Sequence, residues 1–382
     1  MRVAIVSEGF APYIGGVETR YTKIAEYLAR KHDVDVITLL QRVVSQEGEK
    51  ILEIEQQGRL RVFRINVENK YFLEDGTRSL SGVREFSRKS AEHIVKNNYE
   101  VILISEWPLL HVLHIKKKAR QRNMIVDWHE VWGRYYLKFG LKGLGGYVLE
   151  RIVAKLDGVK HIAVSDFTRE RLRGILGVKG DIPVIWNGVD LMEYNGLSNV
   201  EKEFGKIVFF GRFAPHKGID LLIEAFKIVK RSRPEARLHI IGDGPLRSQV
   251  AKMASSVENI HIKIALPRRR LLESIKSAWM VVIPSYREGQ GISYLEAMAA
   301  GTPVISIRSP YNAFSSMVKN GEEALITDPE PRSLAVAILK LLEDEELYRK
   351  LSRNGRIFAS RFSWENICSR LEVVFKDVLE NQ

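Results

Sequence analysis

The chain has 382 residues, 45% of them hydrophobic and 28% charged, enough apolar material for two cores of ordinary domain size. A single cysteine, Cys368, excludes an internal disulfide, and no apolar run reaches the ~18 residues of a membrane helix, so a cytoplasmic chain that spans no bilayer is expected. The formal net charge of +12 selects for anionic partners, whether nucleic acid, phosphorylated small molecules or an acidic membrane surface.

Met1 and Arg2 lead straight into the strand-like VAIVS, so no secretory leader is expected. Val17, Tyr21, Ile24, Ala25 and Leu28 then recur at helical spacing, and VDVITLL supplies a second strand, so the chain opens with a βαβ unit. RVFRI near 61, VILIS at 101, MIVDW at 124, HIAVS at 161 and PVIWNGVD at 183 read as further strands. Residues 66–90, polar and carrying Gly76 and Gly82, read as a long mobile loop. The basic run KKKARQR at 116–122 follows a helical pattern at Leu110, Leu113 and His114. It lacks the interleaved aromatics of a nucleic-acid platform, which leaves a solvated helix end or a peripheral contact with an anionic membrane.

The alternation restarts at KIVFFGR. A helical stripe of Leu221, Leu222, Ala225, Phe226 and Val229 follows, and LHIIGDG, IHIKI, MVVIPS and TPVIS are four more strands. Such alternation gives parallel sheets flanked by helices. The break in EYNGLSNVEKEFG divides the chain into an α/β domain over 1–195 and a second over 196–362. Both are doubly wound and are expected to face each other across a cleft. Residues 363–382 carry Ser363 as N-cap and Ile367, Leu371, Val374, Phe375 and Val378 on one face, a closing helix expected to pack back toward the N-terminal domain.

Candidate chemistry gathers after strands, at the edge where open α/β sheets bind ligands. In YREGQGISYLEAMAAGTPV, Gly289 and Gly291 precede a helix start whose free N–H groups favour a phosphate. Glu288 would repel that phosphate unless it reached neutral hydroxyls beyond it. Glu296 has Ile292, Ser293, Ala299 and Ala300 as helical neighbours, none of them a cation, so a ribose diol is its expected partner. Arg212 and Lys217 in GRFAPHKG follow a strand and suit a diphosphate. Gly15 and Gly16 in YIGGVET let backbone amides approach an anion. His129 in VDWHEVW follows another strand, and Asn187 in WNGVD reads as hinge or cleft structure.

Glutamate, seven residues, glutamate and then AMAAGTPVI resembles the signature of retaining family-4 glycosyltransferases of group 1, with the GT-B fold of two Rossmann-like domains. The resemblance implies Glu288 on the donor sugar, Glu296 on the ribose, and Arg212 and Lys217 on the diphosphate of a nucleotide sugar such as a UDP- or GDP-sugar. Gly15, Gly16, Gly289, Gly291 and Ile292 would complete the donor site, with backbone at Ile264 and Leu266 beside the base. His129 would lie near the reacting sugar and a sugar, glycan or lipid-linked acceptor; relatives usually follow this histidine with aspartate, where this chain has Glu130. Glu288, His129, Arg212 and Lys217 are thus the expected catalytic set of a hexosyltransferase in glycan or glycolipid synthesis, in the cytoplasm or at the inner membrane surface. The alternatives are a GT-B nucleotide-sugar epimerase and a non-catalytic nucleotide-sugar-binding partner. No cofactor or metal is expected beyond the sugar nucleotide itself. Asp33 and Asp35, in a tempting Asp-x-Asp, open their strand and so lie at the wrong edge of the sheet.

Overall fold

The computed structural model describes residues 1–13, 15–40, 43–45, 48–50, 54–73, 77–119, 123–197, 199–264 and 266–380. These form two compact units, Met1–Trp186 with Glu365–Gln382, and Asn187–Trp364. The division falls at Trp186, ahead of the polar break near 195.

The first unit holds a seven-stranded sheet. Its strands are β1 (Arg2–Val6), β2 (Asp33–Leu39), β3 (Ile54–Gln57), β4 (Leu60–Ile65), β5 (Val101–Ser105), β6 (Met124–Trp128) and β7 (Val159–Ala163), in the order β3-β4-β2-β1-β5-β6-β7. All pairs are parallel except β3 with β4. Period-2 alternation sends Ala4 and Val6 to one core face and Val3 and Ile5 to the other. The first face is covered by α2 (Leu80–Lys96) and α3 (Leu110–Ala119), through Ala91, Ile94, Val112 and Ile115. On the second lie α1 (Gly16–Leu28) and the terminal helix Trp364–Glu380, whose Ile367, Cys368, Leu371 and Phe375 pack with Tyr21 and Ile24.

The second unit holds β8 (Glu203–Phe210), β9 (Arg237–Ile241), β10 (Ile260–Lys263), β11 (Ala278–Ile283), β12 (Val304–Ile307) and β13 (Leu325–Thr327) in one sheet. Their order is β10-β9-β8-β11-β12-β13, parallel throughout. Both units therefore share the doubly wound arrangement in which strand order reverses beside the first strand, between β1 and β5 and between β8 and β11.

Two expectations are corrected. From Leu80 onward the loop expected over 66–90 gives way to α2, whose N-cap Ser79 accepts a hydrogen bond from Gly82 N. Its inward face carries Gly82, Ser87 and Ser90 beside Val83 and Phe86, so burial by small polar residues disguised the helix; Gly76 lies outside the described residues. PVIWNGVD is not a strand, for it makes only isolated bridges, Ala163 with Val184 and Val189 with Ser363. In the basic run, Lys116 donates to Gly158 O and Lys118 to Glu92, as a solvated helix end does; residues 120–122 lie outside the described residues.

Candidate active site

In the second unit the loops after β8 and β11 meet at the reversal of strand order. Gly218 makes this possible: its φ of +64° is left-handed, and a Cβ there would sit 2.2 Å from Pro284 O. Tyr286 N donates to His216 O at 2.8 Å, joining the loops a second time. Lys217 Nζ consequently reaches Glu288 Oε1 at 2.5 Å. Burial, then the charges of Lys217, Arg287 and Arg212, holds His216 down at about 2, so positive potential converges on a neutral imidazole. Arg212 is exposed and forms no ion pair among the described residues.

Glu288 is fixed from behind. Its carbonyl accepts from Ala313 N at 2.9 Å, and Arg287 and Glu288 pair with Tyr311 and Asn312 as a two-residue bridge. Helix α4 (Ile292–Ala299) starts at Gly291, whose φ of +84° and contact with the Tyr294 ring leave no room for a side chain. Gln290 is buried and holds Asn187 by both its amide atoms, accepting from Asn187 N at 2.5 Å and donating to Asn187 O at 3.2 Å. Gly289 and Ile292 flank this point, half-buried. Asn187 is therefore part of the scaffold under the glycine loop.

Glu296 is not without a cation. Arg268, at the start of the helix Arg268–Ser277, reaches Glu296 Oε1 at 2.5 Å and Glu193 Oε2 at 2.5 Å. Helical spacing cannot reveal this partner, because it comes from another element. Burial raises the Glu296 carboxyl above the usual range against the pull of Arg268. Ile264 and Leu266, both half-buried, follow β10 at the same sheet edge; Ala265 between them lies outside the described residues.

The first unit builds a different site at the equivalent edge. Arg20 on α1, fully buried, donates Nε and Nη2 to the two oxygens of Asp127 at 2.7 and 3.1 Å, and Nη1 to Trp186 O. Tyr21 Oη donates to Asp127 Oδ2 at 3.1 Å and lies 3.0 Å from His129 Nε2. With its one proton directed at Asp127, the tyrosine must accept from Nε2–H, which leaves Nδ1 as the acceptor nitrogen of a neutral ring. Burial keeps His129 neutral, holding its pKa at about 4 against the nearby Asp127. The signal for Asp127 and Arg20 was weak, a charge inside an apolar strand and another inside a helix.

Glu106, directly after β5, was also missed, although a carboxylate following the buried run VILIS is a visible anomaly. Its Oε1 accepts from the N–H groups of His129 and Glu130 at 2.9 and 3.1 Å. Its buried Oε2 has no hydrogen-bond partner among the described residues and lies 3.9 Å from His129 Nε2. Burial and then the charge of Asp127 push this carboxyl well above the usual range. Glu130 accepts from the Trp132 indole N–H at 2.8 Å. Nearby, Glu8 is paired with Arg78 and Tyr71, whose pull overcomes burial and lowers its pKa.

At the start of α1, a Cβ on Gly15 would lie 2.1 Å from Glu18 Oε2, whereas Gly16 has open space around it. The carboxylate of the helix's own first turn thus stands where an anion at Gly15 was expected; Ile14 lies outside the described residues. Asp35 is occupied elsewhere, accepting from Arg61 at 2.7 and 2.8 Å and from Tyr99 at 2.7 Å.

Two family patterns cover most of the chain, "Glycosyltransferase Family 4" over residues 14–193 and "Glycosyl transferases group 1" over 197–358. An uncharacterized glycosyltransferase of Methanocaldococcus jannaschii is 26% identical, over 97% of this chain and 96% of its own. Mannosylfructose-phosphate synthase of Agrobacterium fabrum is 27% identical, over 69% of this chain and 62% of its own. Among solved structures, sucrose-phosphate synthase from Thermosynechococcus elongatus superposes with a TM-score of 0.80 at 20% identity, over 100% of both chains. Anabaena HepE in complex with UDP-glucose gives 0.75 at 17% identity, over 99% of this chain and 100% of that one. The chain belongs to the family-4, group 1 glycosyltransferases and has their GT-B fold.

Proposed function

We propose that this transferase moves a hexose from a nucleoside diphosphate sugar to a hydroxyl acceptor with retention at the anomeric carbon, and that the second unit supplies the donor site. The observation that carries the assignment of roles is the contact of Lys217 with Glu288 where strand order reverses. A sugar nucleotide joins an anionic diphosphate to neutral hydroxyls through one bond, so its site needs a cation and a hydroxyl-binding carboxylate side by side. Lys217 and Arg212 hold the diphosphate, and Glu288 accepts from the sugar hydroxyls. Glu296, oriented by Arg268, takes the ribose, with backbone at Gly289, Gly291 and Ile292 near the phosphates and at Ile264 and Leu266 near the base.

In transfer, the bond from the anomeric carbon to the diphosphate oxygen breaks and its electron pair leaves with the diphosphate. The acceptor oxygen bonds to that carbon and releases its proton to the departing group. Arg212 and Lys217 stabilise the charge that develops there. His129, neutral and anchored by Tyr21, offers Nδ1 to a hydroxyl in the acceptor half.

The test is the anomeric configuration of fresh product, read by proton NMR. An α-linked donor should yield an α-linked product, since none of the proposed donor-site carboxylates is assigned as a base on the opposite face. A β-linked product would overturn the proposal.

A further inference from the structure

We propose that the stretch from Gly133 to Lys155 is a membrane-docking face that seats on an anionic lipid bilayer. This goes beyond the transferase reading and stands apart from it, because membrane partitioning is measured without donor or acceptor.

The stretch is a 3-10 segment, Gly133–Phe139, followed by the helix Gly140–Ala154. The helix is amphipathic with its polarity reversed. Its inward side carries small residues and one anchoring carboxylate. A Cβ on Gly146 would lie 2.5 Å from the Tyr136 ring, and one on Gly143 would overlap Tyr136 O. Glu150, 1% exposed, accepts from Trp132 N and Gly133 N at 2.7 and 2.8 Å, while Val153 is fully buried. The outward side is apolar. Leu141, Leu144, Val148 and Ile152 are 89, 47, 45 and 45% exposed, and their spacing puts them within one narrow stripe. Leu137 and Phe139 extend the stripe at 48 and 53% exposure. Other large exposed apolar side chains, such as Leu80, Met192 and Val336, are scattered singly, as on any soluble surface.

Charge chooses the occupant. The stretch contains Arg134, Lys138, Lys142, Arg151 and Lys155, and its one carboxylate, Glu150, is buried facing inward. Arg134, Lys138 and Lys155 are exposed; the first exposed carboxylate beyond is Asp157, in the turn to β7. An apolar stripe rimmed by cations matches the acyl boundary and headgroups of an anionic bilayer. Trp132 and Tyr135 stand beside Phe139, with ring centroids 6.0 and 5.8 Å away, the residue types favoured at headgroup depth.

The experiment is sedimentation of the full chain with vesicles of phosphatidylcholine alone or mixed with phosphatidylglycerol. The parent should partition to the mixed vesicles about tenfold or more above phosphatidylcholine alone, and added salt should weaken binding. The triple variant Leu141→Glu, Leu144→Glu, Val148→Glu should lose about tenfold or more on the mixed vesicles. Arg134→Glu with Lys138→Glu should lose about fivefold or more per charge there and remain unchanged on phosphatidylcholine. All substituted side chains are exposed, so thermal unfolding should match the parent; if the triple variant fails to fold, the charge variant and the salt dependence decide. A parent that stays in the supernatant with the mixed vesicles overturns the proposal. So does a parent that binds them no better than either variant, or a concentration-dependent dimer that the triple variant dissolves while no vesicle is bound, which would make a second copy the occupant.

Discussion

The two units present the same order of parallel strands and the same ligand-binding edge, yet opposite electrostatics. In the second unit the edge gathers Arg212, Lys217 and Arg287 about a neutral His216, with Glu288 as the carboxylate paired there. In the first the edge is lined by Glu8, Glu106, Asp127 and Glu18, and its cations, Arg20 and Arg78, are committed to two of them. On the roles proposed above, one scaffold would serve two ligand classes. An excess of cations over carboxylates suits a diphosphate, whereas held carboxylates and a neutral imidazole suit hydroxyls. The difference lies in the residues that follow each strand and not in the strands.

The largest effect should come from removing the buried anion that organises the first edge. Arg20 and Asp127 are both fully buried, so Asp127→Ala strands a guanidinium in the core and should cost about 3–5 kcal/mol. Urea unfolding monitored in the first unit measures this; a loss below about 1 kcal/mol would put the pair on the level of a surface contact. Next come Lys217→Ala and Arg212→Ala, each expected to lower kcat/KM by about 2–4 kcal/mol in transition-state terms while leaving thermal unfolding near the parent's. Values within about threefold of the parent would remove the diphosphate from this edge.

A smaller effect sharpens the comparison at Glu106. Its folded pKa is raised, so the stability it contributes is complete below the unfolded carboxylate value and is lost as pH climbs through the folded one. Glu106→Gln keeps the acceptor for His129 N and Glu130 N and removes the titration. Its melting temperature should exceed the parent's by a margin that grows above about pH 5, reaching a few degrees. A margin constant across pH would mean that Glu106 is ionised throughout.

The parallel halves were legible because apolar runs such as VILIS and MVVIPS alternate with helical stripes, and the glycine loops because they follow those runs. What stayed hidden shares a physical cause. Local periodicity describes a residue's own element, and the missed features depend on a second one. Arg268 meets Glu296 from a separate helix, and Glu18 reaches back over Gly15. Ser87 and Ser90 are buried because α3 covers them, although their polarity argues for solvent. Glu106 is the exception, since a carboxylate after five buried apolar and small residues is anomalous in sequence alone.

The most direct test of the division of labour is the affinity of a free nucleoside diphosphate for four proteins, measured by calorimetry: the parent, Lys217→Ala, Glu296→Ala and His129→Ala. The account predicts about tenfold or greater weakening for Lys217→Ala and Glu296→Ala, from loss of a charge-assisted bond in each, and no change for His129→Ala. Unchanged binding by Lys217→Ala and Glu296→Ala, with loss in His129→Ala, would contradict it.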